Sequence, residues 1–167
     1  MSAQTLLGKI IATAGIALAL SAGSAFAADH GAHKHEHGHA ATPEKLSLND
    51  GRKWGTDEAL RKGMENIRQA MDASLHQIHE GKLSTAGYAA LAKKINEEVG
   101  EIVAHCKLDP KADAQLHVVI AEMGEGIEAM AGRLKKTKRL SGAVKILGAL
   151  DHYNEHFDHP GWQAIKH

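Results

Sequence analysis

Residues 109–134, DPKADAQLHVVIAEMGEGIEAMAGRL, decide the fold. Asp109 has the side chain of a helix N-cap, and Pro110 suits the first helical position, where its missing N–H costs nothing. Leu116, Ile120, Met123, Ile127, Met130 and Leu134 then recur at alternating spacings of four and three, which lays them along one helical face. Three other segments follow the same plan. One starts at Thr56 as N-cap with Asp57 and Glu58 in its first turn, carries Leu60, Met64, Ile67, Met71, Leu75 and Ile78, and stops at Gly81. Another starts at Ser84, where Leu83 and Tyr88 are spaced as a hydrophobic staple, and its seam is Tyr88, Leu91, Ile95, Val99, Ile102 and Cys106, running to about Lys107. The last runs from about Arg139, places Ala143, Ile146, Leu147, Leu150, Tyr153 and Phe157 on one side, and is closed by Pro160-Gly161.

No stretch alternates with period two, and the connections are short, so successive helices should run antiparallel. The prediction is an all-α, up-down-up-down four-helix bundle over residues 46–163, with a C-terminal tail at 164–167. Met64, Met71, Met123 and Met130 read as core fillers. Leu46, Leu48 and Trp54, around the turn residues Asn49-Asp50-Gly51, predict a short, loosely ordered cap lying on the bundle.

Working outward to the N-terminus, Lys9 precedes an apolar run from Ile10 to Leu20, and Ala25-Phe26-Ala27 follows as a small-residue cleavage site. This is the pattern of a signal peptide over residues 1–27, with an apolar run too short to span a bilayer comfortably, so no stable membrane span is expected after cleavage. The bacterial periplasm is the predicted destination. About 140 residues then remain, the size of one domain. Twenty basic and twenty acidic side chains balance, which argues against a nucleic-acid partner. Cys106 is the single cysteine, so no internal disulfide can form, and the thiol is buried, metal-bound or paired with another molecule, such as a second copy of the chain.

Residues 28–45 hold almost no large apolar side chain and are predicted to be a disordered arm. The arm carries His30, His33, His35, His37 and His39, and a flexible chain with alternate histidines can wrap a cation at little strain. In the bundle, His152 and His156 stand one turn apart on a helix face turned from the core, a chelating spacing, and His159 joins them if the last turn persists. In the antiparallel arrangement His105 and Cys106 share their end of the bundle. The metal ligands predicted are therefore His30, His33, His35, His37, His39, His105, His152, His156 and His159. Imidazole suits copper, with zinc or nickel possible, better than magnesium or calcium. Asp72, His76 and His79, and the lone His117, read first as polar flank residues, and the basic connection from Arg133 to Arg139 as a solvated turn.

The leading functional expectation is a periplasmic transition-metal-binding protein for sequestration or delivery, with metal ions and a periplasmic protein or a homodimer as partners. A non-metal periplasmic interaction module is an alternative. No nucleophile triad, phosphate loop or inward Glu-x-x-His pair supports an enzyme. In architecture the chain also resembles the cytochrome b562 and cytochrome c′ bundles. The c′ type requires a Cys-x-x-Cys-His that is absent here, whereas a b-type haem would need Met64 or Met71 paired with an inward imidazole.

A further resemblance rests on Leu48-Asn49-Asp50-Gly51-Arg52-Lys53-Trp54-Gly55-Thr56-Asp57, His105-Cys106-Lys107-Leu108 and Phe157-Asp158-His159-Pro160-Gly161-Trp162. These stretches are similar to a group of small exported proteobacterial proteins called DnrO-like, over about residues 46–163. The resemblance implies export and the helical domain and selects no ligand.

Overall fold

The computed structural model describes residues 45–167; the expected signal peptide and all of the expected arm except Lys45 lie outside the described residues. Four helices and no strand make up the described part: α1 (Glu58–His79), α2 (Thr85–His105), α3 (Pro110–Ala131) and α4 (Arg139–His156). Their start signals are explicit. Asp57, not Thr56, caps α1: its Oδ1 accepts the Leu60 amide at 2.8 Å, while Thr56 is spent on donating its hydroxyl to the Asp158 carbonyl at 2.6 Å. Ser84 caps α2 through the Gly87 amide at 3.0 Å, and Asp109 caps α3 with Pro110 behind it. No side chain caps α4; the Arg139 guanidinium instead donates to the Met130 carbonyl near the end of α3.

The four helices bury one common core, an arrangement consistent with a four-helix bundle. The α4 seam is buried as its spacing predicts, from Ala143 to Phe157, and Met64, Met71, Met123 and Met130 are fully buried within the core. On α3 the buried face is turned: Val119 is fully buried and Ile120 only partly, because this helix packs on α2 and α4 together and a wider face is covered. Leu134 falls outside α3, past the left-handed Gly132 cap, and is exposed. The second helix stops at His105, two residues before the expected end, where Cys106 turns extended.

Neighbouring helices meet at matched points. Between α1 and α2, Gly63 faces the Ile102 side chain, and the Asn66 amide donates to Glu98 at 2.8 Å. Between α3 and α4 the backbones meet closely at Gly126 and Gly142, and the Glu125–Lys145 and Glu122–His152 ion pairs also cross this helix pair. At one pole, the Lys107 amide after α2 donates to Asp57 before α1. The Trp54 amide donates to the His156 carbonyl at the end of α4, and the Asp158 amide returns to Trp54 O, both at 2.8 Å.

The segment leading into α1 lies across this pole. Its Trp54 ring is buried and donates to the Ser47 carbonyl at 2.6 Å, while the Ser47 amide donates to the buried Gln115 side chain at 2.7 Å. The cap predicted for Leu46 to Trp54 is present, but it is pinned by these bonds and by Trp54 burial and not loosely ordered as expected. The C-terminal tail also turns back, with Trp162 and Ile165 against the core and His167 Nε2 3.4 Å from Asp151. Among the described residues no helix is long and apolar enough to cross a membrane.

Candidate metal centre

The last two turns of α4 present His152 and His156 into a groove between α3 and α4, lined also by Lys45, Leu46, Val118, Glu122 and Glu155. The two rings are 6.4 Å apart, centre to centre, and nearly perpendicular. His152 Nδ1 lies 2.7 Å from Glu122 Oε2, across the helix pair. His156 Nδ1 lies 2.8 Å from the His152 carbonyl. A carboxylate or carbonyl oxygen only accepts, so in the neutral imidazoles both Nδ1 atoms carry the proton and both Nε2 atoms keep a lone pair. Both rings are half-buried, so the face expected to be open to solvent is in fact partly roofed by α3 and the incoming strap.

The other predicted ligands fall elsewhere. His105 sits on the α1/α2 side, its Nδ1 3.0 Å from the Glu101 carbonyl, beside a groove lined by Lys62, Gly63, Asn66, Glu98 and Glu101. His159 is not on the α4 stripe: the helix ends at His156 because Pro160 disfavours helical geometry at residue 159. Its ring instead packs on Tyr153 and Trp162, with Nδ1 2.9 Å from the buried Tyr153 hydroxyl. Burial, reinforced by Arg61, holds the His159 imidazole below its ordinary pKa. His30, His33, His35, His37 and His39 lie outside the described residues. Among the described residues no three His, Cys, Asp or Glu side chains converge as a metal-holding group.

Cys106 is half-buried beneath Asp57. Burial, then the negative charge of Asp57, pushes its thiol up to about 12. Burial alone would raise the Asp57 carboxyl as well, but the amides of Lys107 and Leu60 and the Cys106 thiol outweigh it and hold it below its ordinary value. His76 pairs with Glu80 at 3.4 Å and His117 with Asp113 at 3.5 Å, each one turn away, as flank residues do. For a b-type haem, Met64 and Met71 do face inward, but Gln115 is the buried polar residue of the core and no described histidine is buried there.

Sequence reasoning missed Glu122. It stands thirty positions from His152 on another helix, and nothing in the helical spacing of α3 singles it out from that helix's other acidic residues. Comparison with known proteins gave no match, whether to a family model, a curated protein or a solved structure.

Proposed function

We propose that this chain is an exported transition-metal-binding protein, taking copper and with zinc or nickel as further cargo, for sequestration or delivery without turnover. The observation that carries the reading is the tract His30, His33, His35, His37 and His39, five imidazoles in ten residues directly after a signal-like leader. Neutral imidazole is a ligand for Cu(II), Ni(II) and Zn(II), and in general affinity Cu(II) leads. The bundle histidines give the captured ion a second place to reside. Five residues of sequence separate His39 from Lys45, and a covalent tether makes transfer within one chain intramolecular.

The arrangement we infer for the domain is antiparallel, up-down-up-down. It is supported by the pairing of Gly63 with Ile102 and of Asn66 with Glu98 between α1 and α2, and of Gly126 with Gly142 and of Glu122 with His152 between α3 and α4. In each set the partner number falls as the first number rises. That arrangement gives His105, His152, His156 and His159 a common pole.

The test is purification of the mature chain without an affinity tag, elemental analysis, and an absorption spectrum. Bound copper, zinc or nickel that falls in amount when the five tract histidines are replaced by Asn supports the reading. An intense haem band, or no metal above background, overturns it.

A further inference from the structure

We propose that His152 and His156, oriented by Glu122, form a metal site of their own in the α3/α4 groove for Cu(II), Ni(II) or Zn(II). This deepens the metal-binding reading and needs no residue of the tract. The described histidines differ in one respect that matters for ligation. His105 and His117 also tie Nδ1 to the carbonyl one turn back, but each lacks a second imidazole one turn away. His159 is occupied by Tyr153 and packed under Trp162, and His167 pairs with Asp151. His76 and His79 also stand one turn apart, on α1, but both are exposed and His76 pairs with Glu80. His152 and His156 are instead half-buried, each with Nδ1 held by an acceptor, and their rings are 6.4 Å apart.

Their hydrogen bonds are those that ligating histidines use. A metal-bound imidazole typically donates its other N–H to a carboxylate or a backbone carbonyl, which fixes the tautomer and ring orientation and raises ligand basicity. Glu122 does this for His152 and the His152 carbonyl does it for His156. The Nε2 lone pairs are left for a cation, which would sit at about 2.0–2.1 Å from each once the side chains turn to converge on it. Glu155 on the rim and water can fill the remaining positions. Glu122 comes from α3 and His152 from α4, so Glu122 is a positioning residue and its contact also fixes how the two helices meet.

The experiment uses the full mature chain with the five tract histidines changed to Asn, titrated with Zn(II), Ni(II) and Cu(II). One cation per chain is expected, with the ring NMR signals of His152 and His156 moving together on Zn(II) addition. His152→Asn with His156→Asn should abolish it. Glu122→Ala should weaken affinity by about tenfold or more, the usual cost of losing such a partner, at unchanged stoichiometry and helicity. Glu122→Gln, which keeps an acceptor, should lose less. If the native chain binds metal and the tract-silenced chain binds none, this site falls while the tract reading stands. If silencing the tract costs no bound metal, the tract reading falls and this site stands. Binding that survives loss of both histidines, or an affinity indifferent to Glu122→Ala, overturns the proposal.

Discussion

Cys106 illustrates how a single residue's role follows from its neighbours. Sequence left it three roles, and its surroundings favour the protonated, half-buried thiol: burial and the Asp57 carboxylate beside it push the thiol up to about 12. The thiolate is the reactive and metal-binding form, so it is scarce at pH 8. Iodoacetamide should label native Cys106 at pH 8 about a hundredfold or more slowly than the chain in urea. Equal rates would contradict this account of its surroundings. The His152–Glu122 contact shows the opposite limit of sequence reading. Helical spacing places His152 and His156 on one face, but which α3 residue meets them depends on how far α3 is rotated. Periodicity leaves that rotation open by about one residue, or 100°. Asp57 and Thr56 differ for a similar reason: both side chains can cap a helix, and the choice is made by Asp158, which engages the Thr56 hydroxyl.

At the scale of helices, the existence and approximate limits of all four and most of the seams of α1, α2 and α4 were legible, while the exact cap of α1, the end of α2 and the full burial of Leu75 and Val99 were not. The α3 seam was legible only in part. Val119 and Ile120 are both apolar and adjacent, and packing on two neighbours decides which is covered fully. Nor could spacing reveal that α3 and α4 touch through glycine. A Cβ at Gly142 would come within 2.5 Å of the Gly126 carbonyl oxygen and 2.6 Å of the Met130 amide nitrogen, which are backbone atoms that cannot step aside. Gly142→Ala should therefore destabilise by about 2 kcal/mol, the overpacking cost exceeding the helix-propensity gain of about 1 kcal/mol. Gly124, on α3 as well, has nothing within 4 Å of such a Cβ, and Gly124→Ala should stabilise by about 0.5–1 kcal/mol. Urea unfolding of the two variants checks both signs. A neutral or stabilising Gly142→Ala would mean that the helices do not approach as closely as described.

For the whole molecule, stability should fall on acidification in two stages. Burial first, and then Arg61, lowers the His159 imidazole below its ordinary 6.5, so its contribution is full above pH 6.5 and is lost as pH falls through the lowered value. The Arg68 guanidinium, with Gln69, brings Glu65 down to about 2, so its contribution is full above about 4.5 and is lost as pH falls toward 2. The partners of Glu65 lie on α1 itself, and the charge of His159 adds to what lowers it. The urea midpoint of Glu65→Gln should lie below that of the native chain at pH 7, and the difference should shrink by pH 2.5. A difference that is constant with pH would remove Glu65 from the explanation.

The functional account depends on imidazole holding a transition-metal cation, and of the proposed site the spacing of His152 and His156 was readable in the sequence, whereas their neighbour Glu122 was not. Equilibrium dialysis of the untagged mature chain against Cu(II) at pH 7.5, with a competing chelator present, tests that dependence most directly. The account predicts at least one retained copper ion per chain, released when the tract histidines, His152 and His156 are all replaced by Asn. Retention no greater than that of the fully replaced chain would contradict it.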